Sequence, residues 1–147
     1  MSARGKARKR ALDILYEADI RGIPAVEVLQ AQVARRSTGG EPELNVYVTE
    51  IVHGVVDHVD YIDEVISTYS LGWTLPRMPA VDRSILRLAA YEILWNEEVP
   101  DAVVISEAVN MAQSLSTDES STFVNGLLAR ISEIKSRLTP GPPTAVL

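Results

Sequence analysis

Two groups of side chains in this sequence have types and spacings that could do chemistry. The first is the run Arg4, Lys6, Arg8, Lys9 and Arg10, five cations with no acid among the first ten residues. The 147-residue chain has a net charge of −6, so the rest of it carries −11 against the +5 of that run. A basic tip on an acidic body suits local capture of a polyanion, and the polyanion most often met by an arginine-rich tip is nucleic acid. Read plainly, the same run is a solvated start with no role, and composition alone does not separate the two. The second group is Glu50, His53 and Asp57, which share one helical face at spacings of three and four. A di-metal site in a helical bundle needs Glu-x-x-His from two helices and further glutamates. The only other histidine, His58, lies in the same segment. The second motif therefore cannot be built elsewhere, and a solvated polar face opposite Val48, Val52 and Val55 is the favoured reading.

Other chemistries lack their parts. There is no cysteine, hence no thiol nucleophile, thiolate metal site or disulfide framework. Glycine-rich phosphate loops and the G-x-S-x-G elbow are absent, and neither histidine has a serine and an acid arranged around it. The expectation is a protein that is not an enzyme and has no cofactor. No apolar run approaches the roughly 18 residues that a membrane span requires, and no apolar stretch follows the basic start as in a secretory signal. The reading is a soluble, cytoplasmic protein without a membrane partner.

The elements that must position these residues are helices. The stretch 81–94, VDRSILRLAAYEIL, carries apolar residues on most of its sides. A surface helix normally has one apolar stripe, so this pattern marks a buried central helix, about 79–96, opened by Pro79. Residues 4–20 read as a helix with basic first turns, stopped by Gly22. Cations there oppose the helix dipole, so those turns should fray until an anionic partner arrives. Further helices are predicted over 24–36, 44–57, 60–69, 100–115 and about 121–138, with a break near His58 to Asp60. Ser116 and Glu119 have capping-box spacing ahead of the last helix. No long alternation of apolar and polar residues occurs, so the fold class is all-α with about seven helices. Residues 139–147, with three prolines, read as a disordered proline-rich tail.

Three blocks carry a recognisable pattern: WTLPRMPAVDRSILRLAAYEIL (73–94), VPDAVVISEAVNMAQSLSTDES (99–120) and FVNGLL (123–128). With the basic first helix ending in LYEA (15–18), they resemble the NusB family of transcription antitermination factors over roughly residues 4–138. Each block is degenerate, but their order and spacing are specific. The resemblance implies one helical RNA-binding domain over 1–138, with a basic arm at 1–10, built as two packed three-helix bundles. It implies binding of boxA-type single-stranded RNA from ribosomal RNA operon leaders, together with the ribosomal protein NusE. That complex then joins RNA polymerase and the other Nus factors and suppresses premature termination.

The resemblance also implies roles for particular residues. Arg4, Lys6, Arg8, Lys9 and Arg10 match an arginine-rich motif that contacts RNA. Tyr16, Tyr69 and Phe123 match aromatics at the RNA surface; single-stranded RNA is read by stacking bases on rings beside a cationic track. Asp118 and Glu119 beside Phe123 would repel phosphate and tune affinity downward. Asp82 matches an acid facing NusE, with Arg83 flanking it and Ile20 adding an apolar contact. For Asn125 and Gly126 a structural account is preferred: close helix approach over the glycine, and a cap or cross-helix hydrogen bond from the asparagine.

Two other functions remain open on the sequence. One is a helical adaptor that binds only protein, its basic tip idle. The other is a stand-alone relative of the RNA-binding domain that fronts some ribosomal RNA cytosine methyltransferases; a chain of this length has no room for the methyltransferase itself. The sequence also leaves open a homodimer that hides the RNA face.

Overall fold

The computed structural model describes residues 2–138, and the expected proline-rich tail lies outside them. Six α-helices and two 3₁₀ turns account for the regular structure: α1 (Ala3–Arg21), α2 (Ala25–Thr38), α3 (Val46–Tyr69), a 3₁₀ turn (Leu75–Arg77), α4 (Ala80–Trp95), α5 (Asp101–Leu115), α6 (Asp118–Ile134) and a second 3₁₀ turn (Lys135–Arg137). There is no strand among the described residues. The expected seven helices become six because 44–57 and 60–69 join as α3. The expected break survives as a kink at His58, whose backbone leaves the helical region at φ −118°, ψ 15°. The chain forms two compact units, one ending at Asp57 and one beginning at His58.

The first unit holds α1, α2 and the start of α3. Its core draws Ala7, Ala11, Leu12, Ile14 and Leu15 from α1, Val28 and Leu29 from α2, and Val48, Ile51, Val52 and Val55 from α3. Spacings of three and four within the α1 and α3 sets are what turn one face of each of those helices inward. Gly22 ends α1 in the left-handed conformation, φ +67°, where a side chain would clash with the backbone. The beginning of α1 corrects the expectation of frayed turns. Ser2 caps it, its hydroxyl accepting from the Gly5 N–H at 3.0 Å, and the helix is intact through the basic run. A side-chain cap is worth about 1 kcal/mol, comparable to the dipole penalty of the cations it offsets.

In the second unit α4 is the central helix. Nine of its sixteen residues are buried, and it packs on both α5 and α6, which also pack on each other. The polar residues that interrupt its apolar rows each have a structural task. Arg87 pairs with Asp63 of α3 through two bonds of 2.8 and 2.9 Å. Arg83 donates to the carbonyls of Leu75 and Met78 at 2.8 and 3.1 Å, fastening the 3₁₀ turn to the helix that follows it. Asp82 accepts from Ser120 of α6 at 2.6 Å. At the other end, Lys135 donates to Asp101 at 2.9 Å and Ser132 donates to the same carboxylate at 2.6 Å, tying the end of α6 to the start of α5. His58 stacks on Trp95 with ring centroids 4.1 Å apart.

The start of α6 differs from the sequence reading by a few residues. The cap is Thr117, whose hydroxyl accepts from the Ser120 N–H at 2.9 Å, not Ser116 paired with Glu119. Asp118 and Glu119 fall in the first turn of α6, where acids complement the dipole. The helix ends at Ile134 and not at Leu138.

Candidate nucleic-acid interface

The five cations of the basic run do not form one uniform surface. A helix repeats every 3.6 residues, so successive positions around α1 meet different surroundings. Arg4 and Arg8 are one turn apart and both guanidinium groups lie over the ring of Tyr47, at 5.1 and 5.9 Å from its centroid. Arg4 is exposed, whereas Arg8 is buried at 3% exposure. Direct contact of Arg8 with RNA is therefore corrected to a structural role: its charge rests on the face of a buried ring and has no solvent face to offer a phosphate. Lys9 is half-exposed and bonded to Asp13 at 2.8 Å, an intrahelical pair of the i, i+4 type. Lys6 and Arg10, four residues apart, are exposed and have no ion-pair partner among the described residues. They line a shallow groove of about 210 Å³ with Arg36, Glu43, Leu44 and Asn45.

Tyr16 and Ile20, also four apart, share a second exposed face of α1, at 41% and 60% exposure. Arg10 and Tyr16 are six residues apart, about 9 Å along the helix axis. The structure thus groups Tyr16 with the expected partner contact Ile20 in one apolar patch. Of the other expected partner contacts, Asp82 requires correction. It is fully buried, one carboxylate oxygen bound by Ser120 and the other without a hydrogen-bond partner among the described residues. It braces α4 against α6 and has no surface to show a partner. Arg83 is half-buried with its guanidinium committed to two backbone carbonyls.

Three aromatics of the second unit, Tyr69, Trp73 and Phe123, gather around two grooves. Phe123, in the second turn of α6, is half-exposed and its ring centroid lies 4.8 Å from that of Trp73, tilted by 52°. Trp73 sits in the loop between α3 and the first 3₁₀ turn. That loop is shaped by Gly72 at φ +95°, a conformation that favours glycine, and closed by the Ser70 hydroxyl donating to the Trp73 carbonyl. Two grooves meet at Phe123. One, about 460 Å³, is lined by Leu71, Gly72, Trp73, Glu119, Thr122 and Phe123. The other, about 200 Å³, is lined by Tyr69, Leu71, Phe123, Gly126 and Arg130 among others. Tyr69 and Phe123 are thus brought together, and Trp73 and Arg130 join them.

Trp73, Tyr47, Arg36 and Arg130 are the residues that sequence reasoning missed. Trp73 stands first in the 73–94 block, which is its one signal in the sequence. Gly126 needs the opposite correction. It is exposed, and a Cβ built there meets nothing within 4 Å. No helix crosses it; it floors a groove. Asn125 is likewise exposed and not buried against a neighbouring helix. Glu50, His53 and Asp57 are all exposed, and no group of three metal-binding side chains is present among the described residues. No helix among those residues is long and apolar enough to cross a membrane.

A model of the NusB family matches residues 5–133. The transcription antitermination protein NusB of Kineococcus radiotolerans is 54% identical over 139 residues, covering 95% of this chain and 99% of the relative. Among solved structures, NusB of T. maritima superposes with a TM-score of 0.79 at 28% identity, covering 94% of this chain and 99% of that one. A crystal structure of the antitermination factors NusB and NusE in complex with double-stranded RNA gives a TM-score of 0.77 at 25% identity, covering 90% of this chain and 98% of that one.

Proposed function

This chain belongs to the NusB family, and from that premise we propose that it is a transcription antitermination factor that binds boxA-type single-stranded RNA together with NusE. Its role is binding, not catalysis, and its place of action is the cytoplasm. The observation that carries the RNA reading is the half-exposed Trp73–Phe123 pair, with two open grooves meeting at Phe123. Large rings held partly in solvent cost hydrophobic stabilisation unless something covers them, and an unstacked base is a flat apolar partner of the right kind. Tyr69 is a further ring on the same groove, and Arg130 supplies a cation beside it.

The first unit supplies charge. Arg4, Lys6 and Arg10 are the exposed cations of the basic run on α1, and they serve phosphates, whose neutralisation provides sequence-independent affinity. Lys9 contributes less while paired with Asp13. Glu119 lines the larger groove and opposes phosphate there, which lowers the affinity of the isolated protein and gives NusE a part to play. The exposed Ile20 is the contact we assign to NusE, and the exposed Tyr16, one turn before it on α1, we assign to RNA. The solved relative that pairs NusB with NusE and RNA supports that assembly. The complex then acts on RNA polymerase with the other Nus factors.

A gel shift tests the function directly. A boxA-type RNA is titrated with this protein, with and without NusE, beside a scrambled strand and a duplex of the same sequence. Preferred binding of the single-stranded boxA RNA, strengthened by NusE, is expected. Equal retention of the scrambled strand would reduce the protein to a nonspecific polyanion binder. No retention of any RNA at low salt, with NusE still bound, would favour the protein-only adaptor.

A further inference from the structure

The groove lined by Lys6, Arg10 and Arg36 joins α1 to the far end of α2 and the connection into α3. Its three cations come from two helices, with Arg36 more than twenty positions beyond Arg10, so no single basic motif contains them. Two of them, Lys6 and Arg10, are unpaired among the described residues, whereas their neighbour Lys9 is neutralised by Asp13. Unneutralised cations facing one groove repel each other, a cost that an incoming anion removes.

Arg36 is held ready for that anion. Its Nε donates to the Pro42 carbonyl at 2.8 Å, which fixes the guanidinium plane. Glu41 stands 4.0 Å from its Nη1, at the outer limit of an ion pair, and is itself well exposed. The opposite wall is equally fixed, since the Asn45 side chain accepts from the Tyr47 N–H at 2.8 Å and caps α3. Glu43 is the one acid on the lining, so the groove's side chains carry three positive charges against one negative. A planar guanidinium in a fixed orientation presents a fork that matches two phosphate oxygens.

We propose that this groove seats a backbone phosphate of the bound RNA, with Arg36 as the fixed anchor and Lys6 and Arg10 closing on it from α1. The inference rests on the RNA-binding reading and extends the cationic track beyond the arginine-rich start of the chain. The ligand is a phosphodiester, and a free phosphate ion is the alternative source of the same chemistry.

The test is RNA affinity measured over a range of salt concentrations for the full chain, Arg36→Gln and Arg35→Gln. Arg35 is an exposed neighbour in the same last turn of α2 and does not line the groove. Arg36→Gln should make the slope of log affinity against log salt shallower by about 0.7, the value for one phosphate on a single strand, while Arg35→Gln leaves it near the parent value. Helical content by circular dichroism checks that both variants fold. Equal slopes in all three proteins, or equal losses in both variants, would overturn the proposal. A titration with inorganic phosphate, followed through the NMR signal of the Arg36 side-chain N–H, separates the sources. Saturation by phosphate with an unchanged RNA slope in Arg36→Gln would make this a free-anion site and overturn the RNA assignment. If the parent chain binds no RNA at all, the broader functional reading fails, and that result is distinct from indifference of Arg36.

Discussion

Ser120, in the first turn of α6, donates a 2.6 Å hydrogen bond to the fully buried carboxylate of Asp82, in the first turn of α4. The bond continues outward, because Ser116 and Thr117 both place their hydroxyls 3.0 Å from that of Ser120. The beginnings of two helices are thereby coupled through one buried acid, which also complements the dipole of α4. Removing one partner leaves the other buried without its bond, a cost of about 1–3 kcal/mol. Asp82→Ala and Ser120→Ala should each destabilise by that amount, and the double variant by clearly less than the sum. Urea unfolding of the four proteins measures this. An additive cycle, or an Asp82 variant of parental stability with weakened NusE binding, would return Asp82 to the partner surface.

The Trp73–Phe123 pair leads to a separate prediction. Base stacking on an aromatic ring is worth about 1–3 kcal/mol per base by alanine substitution. Phe123→Ala and Trp73→Ala should each lower boxA-type RNA affinity within that range, and Tyr69→Ala by a comparable amount. Fluorescence titration with a labelled strand measures the effect, and thermal unfolding shows whether the fold survives. The substitution at Trp73 is the more informative because its loop is closed by its own backbone bond from Ser70 and does not depend on the ring. Parental affinity in a folded Trp73→Ala protein would return both rings to ordinary packing.

The helices are readable from apolar spacing alone, as with Ala7, Ala11 and Ala18 on α1 or Ile85 and Leu88 on α4. The prolines at 24, 79 and 100 each stand at the N-cap of a helix, so those starts are readable too. The reading fails where a distant residue decides between local equivalents. STDESS offers several hydroxyls as caps, and the one chosen places Ser120 within reach of Asp82, 38 positions earlier. Arg8 looks like its basic neighbours until Tyr47 is folded onto it. Trp73 and Phe123 are fifty positions apart, and nothing local says that their rings meet. Gly126 suggested close packing because glycine usually earns its place in a helix that way, yet its surroundings are open.

The divided roles of the basic run can be measured on two arginines. Arg8 is buried against Tyr47, while Arg10 is exposed on the groove. Arg8→Gln should destabilise the fold, losing a partly desolvated cation–π contact worth about 1–2 kcal/mol, with little change in the salt dependence of RNA binding once the protein is folded. Arg10→Gln should do the reverse: parental stability and a slope shallower by about 0.7. Arg8→Met, which keeps an apolar stem over the ring, should recover part of the lost stability. Unfolding curves and salt titrations on the same preparations give both quantities. A flattened slope from Arg8→Gln with unchanged stability would restore Arg8 to the RNA surface.

Gly126 separates stability from binding most cleanly. It lies in the interior of α6, exposed, with open space where a Cβ would stand. Glycine there costs about 0.5–1 kcal/mol relative to alanine, and no packing among the described residues compensates for it. Gly126→Ala should therefore raise the unfolding free energy by roughly that amount. The same methyl group would stand on the floor of the groove lined by Tyr69, Phe123 and Arg130. If an RNA base settles into that groove, the variant binds boxA-type RNA more weakly while being more stable, a combination that general damage to the fold cannot produce. Isothermal titration beside urea unfolding reads both effects. A stabilised variant with unchanged RNA affinity would show that the groove floor lies outside the RNA path.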